Sequence, residues 1–165
     1  MDKSVIYFAK THQDGIIPSK REEDGAFDIY ARFDDDYIII KPHQTVMVPT
    51  GIASAFSSDY VAILKERGSN GSLGIGQRAG VIDSGYRGEW FVGLTNHNDT
   101  ALIIAKEGVV LPTNIENPII YPYTKAVAQC IVTVVPKVVP TEIDYDTLKT
   151  FESERKDGKL GSSQK

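Results

Sequence analysis

One short stretch of the chain places an acid and an aromatic side chain on either side of a turn. In GVIDSGYRGEW, residues 80–90, an apolar run ends at Ile82, a turn of Asp-Ser-Gly follows, and EWFVGL starts a new apolar run. This pattern predicts a β-hairpin with Asp83 at its tip and Tyr86 on its return strand. Its peptide groups can read the edge of a planar base, Asp83 can accept a proton from water, and the Tyr86 ring offers a flat surface to a sugar. The plainer interpretation is that Asp83 builds a turn and Tyr86 packs.

A second candidate stretch is ILKERGSNGSLGIG, residues 63–76, in which Gly and Ser crowd around Asn70 after an apolar run. It predicts a loop whose N–H groups and hydroxyls converge on a phosphate, with Arg67 as a cationic fork. The glycine spacing and the missing Lys-Ser/Thr ending exclude a Walker motif. An ordinary turn is the alternative interpretation.

Two carboxylates and one amide supply further candidates. Asp28, in EEDGAFDIYARF, can hold water molecules on a hard cation such as magnesium, whereas Asp24 is expected to be a turn residue. Gln129 lies inside the apolar run AVAQCIVTVV, where a buried amide needs a partner on another strand or a ligand. The three aspartates at 34–36 are expected to form a solvated loop.

The C-terminal stretch is small, polar and glycine-bearing. A segment of this composition is usually disordered when free, and it can fold over a bound polyphosphate to add an arginine and hydroxyls. The residues expected to contribute are Arg155, Leu160, Gly161, Ser162 and Ser163.

The elements that position these residues are predicted to be short β-strands. Apolar runs rich in β-branched and aromatic residues alternate with the turn signals PTG, SNGS, DSG and NHND, which indicates an all-β sandwich or barrel. The alternation of apolar runs and turn signals ends near Pro140, so we expect a β-domain over 1–140 and a C-terminal arm over 141–165. The arm is expected to contain a short helix with Leu148 and Phe151 on one face.

Whole-chain properties narrow the classes of function. The chain has 165 residues, a net charge of −4 and one cysteine. A broad basic surface for a nucleic-acid polymer and a disulfide framework are therefore excluded. Cys130 is expected to be a small buried hydrophobe. No segment reads as a leader peptide or a membrane span, so we expect a cytoplasmic protein.

Five stretches, taken together and in this order, resemble the five motifs of the trimeric deoxyuridine triphosphatase (dUTPase) family. They are DGAFDI, ERGSNGS, GVIDSGYRGE, AVAQCIV and RKDGKLGSS, and they span residues 24–163. The third is the most specific. This sequence departs from the family's motifs at four places. The first motif has Gly-Ala where the family has Ala-Gly, and Gly68 stands where serine is common in the second. YTK replaces the usual Gly-Asp-Arg before the fourth motif, and Leu160 replaces an aromatic residue in the fifth.

The resemblance implies a distorted jelly-roll β-barrel, a homotrimer, and Mg²⁺-assisted hydrolysis of dUTP to dUMP and pyrophosphate. It implies that the backbone from Gly80 through Val81 and Ile82 to Tyr86 reads uracil, that Tyr86 excludes ribose, and that Asp83 activates the attacking water. It further implies water-mediated contact of Asp28 with Mg²⁺ and a place for Gln129 near the α-phosphate. The second motif (Arg67, Gly68 and Ser69) would bind phosphate, and the tail would close over a neighbouring subunit's site.

Two alternatives remain open at the level of sequence. A dCTP deaminase shares the fold expected from this resemblance but carries phenylalanine at the position of Tyr86. A nucleotide-sensing or protein-binding trimer could retain the pocket without turnover. Residues 105–125 look like a segment added to the minimal family chain, and the sequence does not indicate its purpose.

Overall fold

The computed structural model describes residues 4–153, which are built mainly from short β-strands. Runs of β-branched and aromatic residues form the strands, and Gly, Pro and Asn interrupt them. The all-β prediction is therefore confirmed. The strands are β1 (Tyr7–Lys10), β2 (Phe27–Ile29), β3 (Tyr37–Ile40), β4 (Thr45–Pro49), β5 (Ile52–Ala55), β6 (Tyr60–Lys65), β7 (Ile75–Arg78), β8 (Val81–Ile82), β9 (Phe91–Asn96), β10 (Leu102–Ala105), β11 (Ile119–Pro122) and β12 (Ala128–Val134), and the helices are α1 (Gly68–Ser72) and α2 (Tyr145–Lys149).

The strands between residues 4 and 135 form four small sheets with the orders β1-β5, β11-β10-β3, β2-β12-β6-β8 and β4-β9-β7. Among these described strands, no two that are consecutive in the chain pair antiparallel, because the connections cross from one sheet to another. The sheets enclose one apolar core in which Trp90, Ile29, Ile40 and Leu64 are almost completely buried.

The four-stranded sheet has one face in the core and one face outside it. Paired residues lie on the same face of a sheet, and side chains alternate along each strand. Ala62, Leu64 and Cys130 are buried, so their neighbours in sequence point outward. The register places these outward residues side by side: Gln129 against Asp28 and Lys65, Ile131 against Ile63, and Ile63 against Val81.

The segment around residues 105–125, predicted as an addition to the minimal family chain, connects two parallel strands. β10 and β11 pair in parallel, so residues 106–118 form a crossover connection rather than a hairpin. Lys106 lies at its start, where its ammonium donates to the Asp34 carbonyl at 2.7 Å and lies 5.5 Å from the centre of the Phe33 ring. The aspartates at 34–36 are exposed, as a solvated loop requires.

The chain divides into two compact units after Val135. The described part of the second unit, residues 136–153, contains α2, and its N-cap Asp144 accepts a hydrogen bond from the Thr147 N–H at 2.9 Å. Leu148 lies in α2, but Phe151 lies beyond its end, so the helix is shorter than the sequence predicts. Within residues 4–153 there is no helix of the length and apolarity that crossing a membrane requires.

Cys130 lies on the core side of β12 and is completely buried. Burial raises the pKa of its thiol from 9.0 to about 12, which leaves the thiol protonated at neutral pH, and only the thiolate is reactive. We expect Cys130 to resist a chromogenic thiol reagent at pH 8 in the native protein and to react with one equivalent after unfolding in urea. Rapid labelling of the native protein would contradict this placement.

Candidate functional site

A cleft of about 700 Å³ opens where the first and second sequence motifs meet the start of β12. Its lining is polar and charged, which suits an ionic ligand better than an apolar one. Four of the sequence-predicted site residues line it together with Asp28, although they come from distant parts of the chain. The lining residues are Ser19, Lys20, Arg21, Asp24, Gly25, Ala26, Asp28, Arg67, Gly68, Ser69 and Gln129.

Arg67 is fixed in the cleft by the acid expected to contact a metal. Its Nε lies 3.0 Å from Asp28 Oδ1. Its Nη2 donates to Asp28 Oδ2 at 3.4 Å, and its Nη1 donates to the Ala126 carbonyl at 3.5 Å. Asp28 lies on β2 directly opposite Gln129 on β12, and the Gln129 amide donates to the Glu66 carbonyl at 2.9 Å. The amide therefore both links two strands and faces the cleft.

The predicted phosphate loop is wrong in its local structure, because residues 68–72 form a single helical turn, α1. Arg67 is its N-cap in an extended conformation, and no side chain caps the turn. The first N–H groups of a helical turn lack partners within the turn, so those of Gly68 and Ser69 remain available to a ligand in the cleft.

A buried amide anchors this turn to the core. Asn70 is 1% exposed, and its Nδ2 donates to the Val127 carbonyl at 2.8 Å. The Tyr121 hydroxyl lies 2.8 Å from Asn70 Oδ1 and 2.6 Å from the Ala126 carbonyl, and it shares its proton between these two acceptors. Burial raises the pKa of Tyr121, so the hydroxyl stays protonated. The sequence analysis noted Asn70 only as the centre of a loop.

The predicted hairpin around Asp83 is also wrong, because its two strands do not pair with each other. β8 pairs with β6, whereas β9 pairs with β4 and β7 in another sheet. Between them, the Tyr86 N–H donates to the Asp83 carbonyl at 3.0 Å, which closes a turn of four residues. The turn therefore links two sheets, and it presents both the Asp83 carboxylate and the Tyr86 ring to solvent.

Contacts to β5 and its preceding glycine hold this turn in place. The Arg87 guanidinium donates to the carbonyls of Ser84 at 2.6 Å, Tyr86 at 3.2 Å and Ser54 at 3.3 Å. The Tyr86 hydroxyl donates to the Glu89 carbonyl at 3.0 Å, and the Glu89 carboxylate accepts the Gly51 N–H at 2.7 Å. Arg87 and Glu89 were not predicted as functional residues, since only tertiary contacts reveal their partners.

Asp83 and Gln129 do not meet within one chain. Ile82 pairs with Ala62 of β6, and Gln129 pairs with Lys65 of the same strand. Asp83 follows Ile82, so the positions of Asp83 and Gln129 are about four residues apart when measured along β6. Because β6 lies between β8 and β12, the two residues are also separated by two strand spacings. Strand geometry converts this offset into about 16 Å between their Cα atoms. One water molecule cannot contact both side chains across that distance.

The cleft also contains a basic loop that the sequence analysis did not select. The Lys20 ammonium donates to the Asp24 carbonyl at 2.7 Å, and Arg21 pairs with the Asp24 carboxylate at 2.9 Å. The guanidinium lowers the pKa of Asp24. The consecutive basic residues before EED were the available signal, and Asp24 is the turn residue that was expected.

The donor set of the cleft bears on magnesium binding. Within residues 4–153, no cluster of three or more His, Cys, Asp or Glu side chains could hold a metal ion. Two acids line the cleft: Asp24, which pairs with Arg21, and Asp28, which pairs with Arg67. This set fits an ion held mainly by water and a ligand's phosphates, because Mg²⁺ keeps several waters in such sites. The tail residues Arg155, Leu160, Gly161, Ser162 and Ser163 lie outside the described residues.

Comparison with known proteins points to one family. The dUTPase family model matches residues 13–110. The deoxyuridine 5'-triphosphate nucleotidohydrolase of Gloeobacter violaceus is 31% identical over 127 residues, which cover 75% of this chain and 72% of that protein. The Pol polyprotein of caprine arthritis encephalitis virus (strain Cork) is 32% identical over 101 residues, and the match covers 61% of this chain but only 9% of the polyprotein.

Solved structures support the fold. A mutant dUTPase of Staphylococcus bacteriophage 80alpha with dUpNHpp superposes with a TM-score of 0.76 and 15% identity, covering 97% of this chain and 98% of that one. A mutant dUTPase from phage phi11 of S. aureus, described as coordinating a structural Mg(II) ion, gives a TM-score of 0.68 at 15% identity, covering 85% and 97%. The expected dUTPase-like, jelly-roll β fold is confirmed.

Proposed function

The chain belongs to the dUTPase family and is a hydrolase that acts on dUTP, and we propose that it does so by directing a water molecule at Asp83 onto the α-phosphorus. The products are dUMP and pyrophosphate. The observation that carries this proposal is the turn after β8, where an acid and a flat ring stand exposed beside an edge strand.

The edge strand supports recognition of a base by the backbone. Within residues 4–153, β8 is the last strand of its sheet, so one of its sides has no neighbouring strand there. The Gly80 carbonyl accepts the Leu64 N–H at 2.7 Å and therefore points toward β6. Because successive residues of a strand direct their peptide groups to opposite sides, those of Val81 point to the open side. They can pair with the N–H and C=O groups of uracil, while the Tyr86 ring supports the deoxyribose.

The cleft supports binding of the polyphosphate. It brings the guanidinium of Arg67, the amides and hydroxyl of Gly68 and Ser69, and the amide of Gln129 to one surface. Arg67 is held by Asp28, so its fork is oriented before the ligand arrives. Charged donors of this kind can stabilise the charge that develops on the phosphoryl oxygens during attack.

Magnesium is part of the proposal. Asp28 would contact the ion through water, and the phosphates of the substrate would supply direct ligands to it. When bound, the ion would offset phosphate charge and favour departure of pyrophosphate. Asp83 accepts the proton of the attacking water, and the residues of the cleft orient the phosphate chain.

We also propose that two chains complete each site within a homotrimer. The acid of the turn and the amide of the cleft lie too far apart in one chain to share a water. The outer face that carries Gln129 continues into Ile131, Ile63 and Val81, and Val81 is 67% exposed. An apolar face of this kind marks an interaction surface. A neighbouring copy packed on it would bring its own Asp83 turn toward the cleft.

The cytoplasmic location and the closing arm over 141–165 remain expectations within this proposal.

The test is release of pyrophosphate from dUTP, dTTP, UTP and dCTP, each with Mg²⁺ and with excess EDTA. We expect rapid turnover of dUTP alone and loss of that turnover in EDTA. Ammonia release from dCTP would support a deaminase instead. Equal turnover of UTP and dUTP would contradict the role given to Tyr86.

A further inference from the structure

The hydroxyl end of the Tyr86 side chain lies close to a glycine two residues further along the chain. A methyl group at position 88 would lie 2.5 Å from the Tyr86 hydroxyl oxygen, 2.7 Å from Cζ and 3.0 Å from Cε2. Carbon atoms in contact are normally 3.5–4.0 Å apart. The hydrogen of Gly88 is therefore what allows the ring to lie at its observed height.

Backbone conformation does not explain a glycine at this position. The glycines in the left-handed region among the described residues are Gly51, Gly74 and Gly108, and Gly88 is not one of them. An alanine could adopt the backbone at 88 without strain of this kind. The three atoms that a methyl group at 88 would approach most closely all belong to the Tyr86 side chain.

The same end of the side chain is held by a hydrogen bond. The Tyr86 hydroxyl donates to the Glu89 carbonyl at 3.0 Å, and the Glu89 carboxylate accepts the Gly51 N–H at 2.7 Å. The hydroxyl end of the ring is thus close to Gly88 and is also fixed by its hydrogen bond to Glu89. Its side chain is still 44% exposed, which leaves a face for a ligand.

We propose that Gly88 is a positioning residue that sets the height of the Tyr86 ring and thereby the preference for deoxyribose over ribose. This inference rests on the proposed function. The sugar contacts the ring, not Gly88. A shift of the ring by about 1 Å changes the space at the sugar by the amount that separates a hydrogen from a hydroxyl group, and contacts at that scale decide specificity.

The experiment compares kcat/KM for dUTP with kcat/KM for UTP in the full-length Gly88→Ala protein. The ratio is the readout because the amount of folded enzyme cancels in it. We expect the ratio to change at least about tenfold: it falls if the ring swings away and leaves space for the 2'-hydroxyl group, and it rises if the ring is pushed toward the sugar and narrows that space. The matched control is Gly71→Ala in α1, where a methyl group would make only an ordinary contact of 3.7 Å with Glu66 Cγ. Its ratio should stay within about twofold of the wild-type value.

A second background separates the ring from the fold. Gly88→Ala is also introduced into Tyr86→Ala, where the ring is absent, and there it should change the ratio by less than about twofold. If Gly88→Ala fails to fold while the double variant folds, the ring clash is the cause and the proposal is supported. Failure to fold in both backgrounds would show that position 88 serves the fold, and would overturn it.

The outcomes separate this inference from the proposed function. An unchanged ratio in folded Gly88→Ala overturns the positioning role and leaves dUTP hydrolysis standing. Absence of dUTP turnover in the wild-type protein removes the proposed function itself. A wild-type protein that hydrolyses dUTP and UTP equally would remove the discrimination that Gly88 is proposed to set.

Discussion

Asp83→Asn is expected to lower kcat for dUTP by about 10³-fold while KM changes little. The substitution keeps the size of the side chain and the main-chain bond from the Tyr86 N–H to the carbonyl of residue 83. It removes the one group of the turn that can accept a proton from water at neutral pH, and loss of a general base costs 10²–10⁴-fold in rate, by an order-of-magnitude estimate. Single-turnover pyrophosphate release measures kcat free of product dissociation.

The control for this result is Asp35→Asn, an acid in the exposed aspartate run of another loop. It changes the net charge by the same amount and should leave kcat within about twofold. A kcat within tenfold of the wild-type value would show that another group activates the water.

Two inactive variants are expected to restore activity when their chains are mixed in one assembly. Asp83→Asn disables the turn, and Arg67→Ala disables the cleft and leaves Asp28 without its cationic partner. If each site takes its turn from one chain and its cleft from the next, every trimer that contains both variants has one complete site, so about a third of the sites in the doubly purified protein are complete. The two proteins are co-expressed with different tags, purified through both, and assayed for dUTP turnover.

The matched control pairs Arg67→Ala with Gln129→Ala, since both changes lie in the cleft. Neither chain then offers an intact cleft, so their mixture should not exceed the mean of the two separate activities. Recovery in this control, or its absence in the first mixture, would contradict a site shared between chains. Light scattering of each purified mixture gives the number of subunits.

The strands were predictable because their residues satisfy local rules. The run AVAQCIVTVV alternates a core side with an outer side, and the structure places Cys130 in the core and Gln129 outside it. The turn at Asp83 was recognisable from Asp-Ser-Gly. Its topology was not, because the choice between pairing β8 with β9 and pairing it with β6 depends on contacts between residues far apart in sequence.

The cleft was predictable in part. Arg67, Asp28 and Gln129 were selected separately, and the structure brings them together through one pair of adjacent strands and an ion pair. The helical turn at 68–72 was missed because Gly and Ser favour loops, and a buried amide at Asn70 overrides that preference. Lys20 and Arg21 were missed because charge in a loop usually means only solvation.

The anchoring of Asn70 has a consequence for the speed of substrate capture. Because this turn is already fastened beneath its surface by Val127 and Tyr121, the phosphate chain meets donors that need no ordering. The conformational entropy that a mobile segment would lose on binding was already lost during folding. Binding of the phosphate chain to this turn should therefore be limited by diffusion and charge. Slow steps in substrate binding should arise in parts of the chain that must still move.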